Sequence, residues 1–490
     1  MPLAEHRVVD PTVALSILIL ELILFAYFLF TNAIYIGTSI VALSRLPRFM
    51  KLRSADPIRA SYSPFELPVS VLVPAYNESE GIVQTVESLL HLEYSEYEII
   101  VINDGSSDET LQLLIDRFEL VRFPQVPRVA IPTQEIRGFY QSKLRANLRV
   151  VDKKNGGKGD ALNAGINVSR YPLVFACDGD SYYSRDALQC MIEPYLSDPK
   201  TVVVGASIGI SNDCEFSDGR LVKRRLSKRW IVRFQVLEYL RAYLGSRLGW
   251  APFNGVSIVS GACGLWRKSV LIEVGGYRTD TIWEDFEMTL RVHHYLRKHK
   301  RPYVVAFTPF SVCWTQVPDT AVALWHQRVG WHRHISECMW LHRGLLFSGY
   351  GGSIAWLGLP YLWLCEWLAP YLVLFGVLFG VLAAVTGVLA WHAQVVLLAL
   401  VLSLAVLTSV CAVLLDELSF VTYSDAEMAT LIFATVLEVF GFRQLVTAAN
   451  AVGLWQWLRR DPIRKRRNVV SLRSGPYDPF APPPWHHSSG

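Results

Sequence analysis

Charged residues are scarce in this chain of 490 residues: they make up 18% of it, against about 25% in soluble domains. Between Arg343 and Arg443 there is no lysine or arginine. Hydrophobic residues account for 51%, and the mean hydropathy is +0.27. These figures exclude a wholly soluble protein, whereas the ordinary charge density of residues 45–343 excludes a wholly embedded one. The sequence therefore predicts a soluble domain that is anchored to a membrane.

The eight cysteines form no CxxC pair, and the sequence contains no GxxxxGK[ST] phosphate loop. The first absence argues against a zinc ribbon or a redox dithiol, and the second excludes a P-loop. The formal net charge of +4 is small for this length and predicts no nucleic-acid surface. We expect reduced cysteines that serve as small apolar side chains.

An apolar segment near the N-terminus, residues 13–43, contains Glu21 as its only charge. It is long enough to span a bilayer and longer than the apolar part of a signal peptide. Five basic residues follow between positions 45 and 59, and only Arg7 precedes. The positive-inside rule therefore predicts a transmembrane segment at 1–44, an external N-terminus and a cytosolic domain.

A second membrane region is predicted at 353–450, where three apolar stretches occupy 353–391, 395–415 and 426–445. The basic residues between Arg459 and Arg467 predict that the tail, 451–490, lies in the cytosol and has a disordered end. An even number of crossings must then follow the soluble domain. Splitting the first stretch near Pro370 gives five crossings in total. The alternative is three, in which 353–369 lies on the surface and the last stretch does not cross.

Two charged residues, Glu438 and Arg443, interrupt or follow the last apolar stretch and would be costly if they faced lipid. They either form a pair, line a polar path or snorkel to the interface. We favour the snorkelling arrangement.

Residues 45–320 alternate short apolar strands with helices, and strands are predicted at 69–73, 98–102 and 173–177. This pattern predicts an α/β fold with a mostly parallel sheet and helices on both faces. Ligands of such sheets bind beyond the carboxyl ends of the strands. We therefore expect a site at this edge, where the polar residues are Tyr76, Asn77, Glu78, Asp104 and Asp178.

Three short motifs carry residue types that suit phosphate and metal chemistry. Asp178 and Asp180 could bind Mg²⁺ or Mn²⁺, although a turn with capping aspartates is the commoner structure for two such acids. The lysines and glycines of 153–160 precede or begin a helix and could cradle an anion; a flexible basic loop is the alternative. Glu284 and Asp285 begin another helix, where their negative charges could interact favourably with the helix dipole or one of them could supply a general base.

Residues 321–352 predict an amphipathic helix at the membrane interface, with Trp325, Trp331 and Trp340 near the headgroups. Three histidines on this helix could be taken for metal ligands. We expect solvated or interfacial side chains instead at all three positions, which are His326, His332 and His334.

Seven motifs, in their order along the chain, resemble a family 2 glycosyltransferase of the membrane-integrated type. This class includes cellulose, chitin, hyaluronan and poly-N-acetylglucosamine synthases. The resemblance covers about residues 69–345 and the flanking helices, and seven ordered matches are far more specific than one. The motifs are VPAYNE (73–78), NDGSSD (103–108), NGGKGDALN (155–163), DGD (178–180), SGACGLWRK (260–268), IWED (282–285) and QRVGW (327–331).

The resemblance implies a GT-A-type fold and an inverting transfer from a UDP-sugar. The transferred hexose or N-acetylhexosamine would extend a polysaccharide that is exported across the cell membrane, with membrane lipids and accessory export proteins as further partners. It also implies roles for individual residues. Asp285, with Glu284 beside it, supplies the general base; Asp178 and Asp180 hold Mg²⁺ or Mn²⁺; Ala75, Tyr76, Glu78 and Asp104 hold the uridine; Lys158 lies near the diphosphate; Gln327, Arg328 and Trp331 lie at the acceptor end.

The last motif departs from the family pattern Gln-x-x-Arg-Trp, because Gly330 stands where the arginine is expected. Arg328 and Arg333 are near enough in sequence to compensate, although a displaced guanidinium is not equivalent to one in place. The departure keeps open a transferase that adds a single sugar to a lipid. A third hypothesis is a membrane transporter or binding protein with a non-catalytic nucleotide-sugar domain. The intact acidic residues of the DGD and IWED motifs favour an enzyme.

Overall fold

The computed structural model describes residues 10–54, 67–217, 220–281, 283–420 and 423–459. The soluble domain is built on one ten-stranded sheet, beside which a two-stranded hairpin (β9 and β10) lies. The strands are β1 (Val69–Ala75), β2 (Tyr97–Asn103), β3 (Leu120–Phe123), β4 (Ile136–Ser142), β5 (Leu148–Lys153), β6 (Leu173–Cys177), β7 (Tyr182–Tyr183), β8 (Thr201–Ile210), β9 (Glu215–Ser217), β10 (Arg220–Lys223), β11 (Cys263–Arg267) and β12 (Val304–Thr315).

Helices surround this sheet and form the membrane regions before and after it. The longer ones are α1 (Pro11–Ser54), α2 (Ile82–Leu90), α3 (Thr110–Phe118), α4 (Lys158–Val168), α5 (Ala187–Ser197), α6 (Trp230–Leu240), α7 (Lys268–Glu273), α8 (Glu284–Lys298), α9 (Ala321–Leu341), α10 (Ala369–Thr386), α11 (Trp391–Phe420), α12 (Asp425–Leu437) and α13 (Phe442–Leu458). Shorter turns are the π-helical Arg241–Arg247, Ile354–Gly358 and Leu362–Trp367, the α-helical Leu248–Trp250 and Leu359–Tyr361, and the 3₁₀ turns Ala251–Phe253 and Arg343–Leu345.

The sheet order is β3-β4-β5-β2-β1-β6-β11-β8-β12-β7. The predicted strands are present as β1, β2 and β6, and the run β5-β2-β1-β6 is parallel as expected. The sheet as a whole is mixed, because β11 runs antiparallel to both β6 and β8, and β4 to both β3 and β5. The predicted parallel sheet thus describes its centre, since a short apolar strand carries no sequence signal of its direction.

The central strands are buried along their whole length, as expected for a sheet that is covered on both faces. In β1 and β6, all residues from Val69 to Ala75 and from Leu173 to Cys177 are buried. Register pairs Ala75 of β1 with Asn103 of β2, and Leu72 with Ala176 of β6. The polar residues that follow these three strands are therefore brought to one edge of the sheet.

A buried ion cluster fixes the turn between β5 and α4. Lys153, whose side chain has no exposed surface, places its Nζ 2.5 Å from Asp104 Oδ1 and 2.5 Å from Asp160 Oδ2. The backbone N–H groups of Gly156 and Gly157 also donate to the Asp104 carboxylate, at 3.0 and 2.8 Å. Burial raises the pKa of Asp104, and the positive charge of Lys153 opposes that shift. One lysine thus joins the end of β2, the glycine turn and the start of α4.

Three helices in the described residues are long and apolar enough to cross a membrane: Pro11–Lys51, Ala369–Thr386 and Trp391–Phe420. A fourth span is possible only if α12 and α13, which meet at a bend of 57°, are counted as one. The helical segments before and after Leu368 are separate, and α10 begins directly after it, close to Pro370, where the sequence predicted a split. The segment before the break, however, is a succession of short π and α turns with buried side chains. The described residues therefore do not contain five candidate crossings. Their three candidate spans agree with the alternative prediction of three crossings in total.

The prediction that Glu438 snorkels to the interface is wrong, because its side chain is fully buried. Glu438 Oε1 accepts hydrogen bonds from Arg443 at 2.7 Å, Arg241 at 2.6 Å and the Ser409 hydroxyl at 2.5 Å. The bend between α12 and α13, at which Gly441 has a φ of 105°, places Glu438 between α11 and the π turn that follows α6. The pairing alternative is thus confirmed, with Arg241 of the soluble domain as a partner that the sequence did not indicate.

Two of the three helix α9 histidines are also not solvated, which corrects the prediction for them. His332 and His334 are 3% and 6% exposed, whereas His326 is exposed. His332 is covered by the close packing of α9 on α13, where a Cβ at Gly453 would lie 3.1 Å from His332 Cβ, whereas His334 packs against the rings of Trp283 and Phe286. Burial lowers the pKa of His332 to about 4, so its ring is neutral near pH 7. Among the described residues, no group of three or more His, Cys, Asp or Glu side chains is placed to hold a metal ion.

Replacing Lys153 tests the importance of the buried cluster. We expect Lys153→Met to destabilise the soluble domain by about 3–5 kcal/mol, because Asp104 and Asp160 would keep buried charges without their partner. Thermal unfolding of the purified protein in detergent measures this. The control is Lys154→Met, which removes an exposed ion pair with Glu135 and should cost at most about 1 kcal/mol. Equal effects of the two substitutions would contradict the role of the cluster.

Candidate active site

A cleft forms where β1, β2 and β6 end and α4 and α8 begin. Residues 76–78 follow β1, Asp104 follows β2 and Asp178 follows β6. Tyr76 and Glu78 are half-buried at the rim, and the Ala75 carbonyl accepts a hydrogen bond from the Asp104 N–H at 2.8 Å. The sequence prediction that these residues lie together is therefore confirmed by their positions.

Asp104 shapes the cleft by holding the glycine turn in place. Its carboxylate already accepts from Lys153, Gly156 N–H and Gly157 N–H. Gly157 has a φ of 89°, and a Cβ at Gly156 would lie 2.4 Å from Asp160 Oδ2. Glycine is required at both positions, at the first for its backbone conformation and at the second for the close approach. The turn that precedes α4 is therefore a fixed structure and not a flexible basic loop.

Lys158, the first residue of α4, joins two acidic segments that are far apart in sequence. Its Nζ lies 2.6 Å from Asp178 Oδ1 and 3.0 Å from Glu284 Oε1. Burial alone would lower the pKa of Lys158, but the carboxylates of Asp178, Glu284 and Asp285 raise it well above its usual value. The ammonium group is therefore charged at neutral pH, and the NGGKGDALN, DGD and IWED motifs meet around it.

The two aspartates of the DGD motif lie on a tight turn after β6. The Asp178 N–H donates to the Tyr183 hydroxyl at 2.8 Å, and this hydroxyl donates to the Ala262 carbonyl at 2.9 Å. A Cβ at Gly179 would lie 2.9 Å from the Pro74 carbonyl oxygen, so only glycine lets the turn pass this close to β1. Partial desolvation and then the negative charge of Asp178 raise the pKa of Asp180, as expected where two carboxylates approach each other.

Glu284 and Asp285, adjacent in sequence, have different surroundings at the start of α8. Glu284 is 3% exposed and bound to Lys158; burial, followed by the charge of Asp285, raises its pKa, and Lys158 opposes the shift. Asp285 is partly exposed, and its two oxygens accept from the N–H groups of Gly261 at 2.9 Å and Phe286 at 2.8 Å. Of the two acids, Asp285 is thus the one that is oriented and accessible. Ile282, which opens the motif, lies outside the described residues.

The QRVGW motif, which the resemblance assigns to the acceptor end of the site, lies on α9. Arg328 is buried; its Nη2 donates to Glu238 Oε2 at 2.8 Å, and its guanidinium lies 4.2 Å from the Trp331 ring centroid. Arg328 is therefore held by Glu238 of α6, a partner that the sequence did not reveal. A Cβ at Gly330 would meet no atom within 4 Å in the part of the chain described, so the missing arginine leaves open space.

Sequence reasoning missed Glu238, and it gave no individual role to Lys153 of the 153–160 segment or to Trp283 of the IWED motif. In the structure Lys153 ends the strand Leu148–Lys153 as a buried side chain that is paired with Asp104 and Asp160. Nothing local pointed to Glu238, because its contact with Arg328 depends on how α6 packs beside α9. Trp283 precedes the two acids and is 38% exposed, which only the structure shows.

Asp285→Asn tests the assignment of the accessible acid. Asparagine has nearly the same size but cannot take up a proton, so we expect turnover to fall by about 10²–10⁴-fold. Binding of UDP, measured by calorimetry, should stay close to wild type because Asp285 is not bound to the glycine turn or to Asp178. Turnover above about a tenth of the wild-type value would show that another group is the base.

Comparison with known proteins relates the central part of the chain to a family. Residues 70–131 and 131–275 match the family model Glycosyl transferase family 2. The matched residues include most of β1, the glycine turn, the DGD motif and β11.

Among curated proteins, the chain is 31% identical over 264 residues to poly-beta-1,6-N-acetyl-D-glucosamine synthase of Staphylococcus aureus. It has the same identity and length of match to the Staphylococcus epidermidis enzyme of that name. In both cases the match covers 54% of this chain and 53% of the relative. The chain thus spans about half the length of the curated relatives that it matches.

Among solved structures, the fold is similar to that of a mannosyltransferase from Pyrobaculum calidifontis in complex with GDP-Man and Mn²⁺. The TM-score is 0.50 at 16% identity, and the match covers 89% of this chain and 99% of the other. At this identity the likeness concerns the fold alone, and it supports the GT-A-type fold that the motifs implied.

Proposed function

We propose that this protein is an inverting glycosyltransferase that transfers a hexose or N-acetylhexosamine from a UDP-sugar to a growing polysaccharide. The observation that carries the proposal is the contact of Lys158 with both Asp178 and Glu284, beside the accessible Asp285. In this arrangement Lys158 is the cation for the leaving diphosphate and Asp285 is the base for the acceptor, and both lie in one cleft. N-acetylglucosamine is the first donor sugar to test, because the curated relatives are named for its polymer.

Asp285 acts on the acceptor in this proposal. Two backbone N–H groups hold its carboxylate at the start of α8. There it takes the proton from the attacking hydroxyl, on the side of the sugar opposite the leaving group. Glu284 is not suited to this step, because its carboxylate is buried and forms an ion pair with the charged Lys158.

Lys158 and the fixed glycine turn act on the donor. The anomeric carbon gains positive character as the diphosphate departs with added negative charge. An ammonium group that is already in place stabilises that charge without reorganisation during the reaction. Tyr76, Glu78 and the backbone around Ala75 and Asp104 lie at the same edge and would enclose the uridine. The role of Asp104 there is to fix the turn, since its carboxylate is occupied within the protein.

Asp178 and Asp180 would hold Mg²⁺ or Mn²⁺. Burial, and then the negative charge of Asp178, raises the pKa of Asp180. Two neighbouring carboxylates of this kind suit a divalent cation, and substrate phosphates commonly complete such a site. Bound there, the ion would neutralise charge on the diphosphate. The related fold of the mannosyltransferase, in complex with Mn²⁺, supports this choice of metal.

Metal removal tests this part of the proposal. We expect EDTA to abolish UDP release and added Mg²⁺ or Mn²⁺ to restore it. Asp180→Ala should lower turnover by about a hundredfold or more, because one fixed carboxylate cannot hold the ion against water. Asp116→Ala, which removes an exposed acid on α3, should retain both activity and the response to metal. Full activity in EDTA would contradict the assignment of Asp178 and Asp180.

We also propose that the catalytic domain faces the cytosol and that the product leaves through the membrane, with accessory export proteins and membrane lipids as partners. The support is the basic residues in the last turns of α1, Arg45, Arg48 and Lys51, and the ion pair of Arg241 with Glu438, which joins the soluble domain to the membrane helices. Transfer of a single sugar to a lipid is the second candidate. It is favoured by Gly330 and by the small number of candidate spans in the described residues, three or four.

Reporter fusions test the orientation without any enzymology. Three crossings predict that a reporter fused after Arg467 is cytosolic and that one fused at Met1 is external, because basic residues lie at the C-terminal end of α1 and after α13. Protease or alkylation access in intact cells measures this. An external C-terminal reporter would contradict the odd number of crossings.

A further inference from the structure

Trp283 is a large apolar side chain that the structure leaves exposed at the edge of the cleft. It is 38% exposed and immediately precedes the two acids that begin α8. A single exposed apolar side chain is common on a protein surface, so what distinguishes Trp283 is its position beside the two acids. Its backbone is extended, with φ −125° and ψ 105°, so the side chain stands before the first turn of the helix and is not packed along it.

The position of Trp283 relates it to the acceptor end of the site. Its ring centroid lies 6.5 Å from that of His334 on α9. His334 is four residues after Gly330 and three after Trp331, so these residues share one face of the helix. Phe286 also contacts the His334 ring, at 6.4 Å. Trp283 therefore lies between the base, Asp285, and the helix face that carries the QRVGW motif.

Gly330 leaves room on that face. Apart from its neighbours and the backbone of its own helix turn, no described atom lies within 4 Å of the position that a Cβ of residue 330 would take. The guanidinium of Arg328 does not fill the space, because it is bound to Glu238. The acceptor end thus lacks one expected positive charge and has an exposed aromatic face nearby. An open space without a positive charge, next to an exposed indole, suits an uncharged sugar ring that has an apolar face.

We propose that Trp283 binds the acceptor sugar by stacking against it and so directs its hydroxyl toward Asp285. One face of a pyranose presents C–H groups, which are apolar and weakly positive, and the indole face is electron-rich. Stacking fixes the orientation of the ring, and Asp285, two residues further along the chain, receives the proton. In this protein the aromatic contact takes over acceptor binding that an arginine at position 330 would otherwise provide. The inference rests on the proposed function and names its acceptor as a neutral sugar.

Trp283→Ala tests the inference in the full-length protein in detergent, with UDP-N-acetylglucosamine as donor and short N-acetylglucosamine oligosaccharides as acceptors. We expect KM for the acceptor to rise by about tenfold or more. Affinity for UDP should change by less than about twofold, because the loss concerns the acceptor alone. Trp283→Phe, which keeps an aromatic face, should restore most of the affinity for the acceptor.

The matched control is Trp340→Ala, which replaces an exposed tryptophan of α9. Trp340 is 51% exposed and its ring contacts Trp457, away from the start of α8. This substitution should leave the acceptor KM unchanged. A second measurement, calorimetric binding of the oligosaccharides in the presence of UDP, reports on the acceptor site without turnover. The wild type should bind them, and Trp283→Ala should bind them more weakly.

Several outcomes would overturn the inference. An unchanged acceptor KM in Trp283→Ala, with an active wild type, would refute the stacking role and leave the proposed function intact. Parallel losses of UDP and acceptor affinity, or no rescue by phenylalanine, would assign Trp283 a structural role. A wild type that neither extends nor binds the oligosaccharides would refute both the inference and the polysaccharide acceptor.

Discussion

The positive charge of Lys158 is the interaction on which the cleft depends, because it lies between two acidic segments more than a hundred residues apart in sequence. Asp178 belongs to the turn after β6, and Glu284 to the start of α8. Without a cation between them, these acids and Asp285 would repel one another in a partly desolvated cleft. Their contacts with Lys158 hold α8 against the DGD turn, and in the proposed function the same ammonium group stabilises the leaving diphosphate.

Lys158 is itself positioned by a second lysine. Lys153 neutralises Asp104 and Asp160, and Asp104 accepts from the glycine N–H groups that precede α4. The turn is therefore rigid before any ligand binds, which is the condition under which fixed charges contribute most to catalysis.

A comparable cluster, around Glu438, joins the soluble domain to the membrane helices. Arg241, Arg443 and Ser409 all donate to this carboxylate, so the two parts are held together by a buried network.

The sequence was sufficient to predict the centre of the sheet and the grouping of the acidic residues. Continuous apolar runs that end in Asp104 or Asp178 specify buried parallel strands and polar carboxyl ends. The antiparallel direction of β11 could not be predicted, because its five residues, Cys263–Arg267, contain no directional signal. The burial of Glu438 and the contact of Arg328 with Glu238 depend on helix packing between distant segments. Local hydropathy does not encode such packing.

The different surroundings of Glu284 and Asp285 illustrate the same limit. Spacing alone leaves two adjacent acids equivalent at a helix start, where both interact favourably with the helix dipole. Only the positions of Lys158 and Gly261 distinguish them, since the first binds Glu284 and the second donates to Asp285. Trp283 was likewise part of a recognised motif, but its exposure beside the open space at Gly330 is a property of the folded chain.

The central claim is that this cleft transfers sugars from a UDP-linked donor to a growing polysaccharide. Incubating the purified protein in detergent with radiolabelled UDP-sugars, UDP-N-acetylglucosamine first, and sizing the product tests it most directly. The account predicts that one UDP-sugar is incorporated into a product of many sugar units, with release of UDP. Products that carry a single sugar on lipid would contradict the polysaccharide, and no incorporation from any UDP-sugar would contradict the enzyme itself.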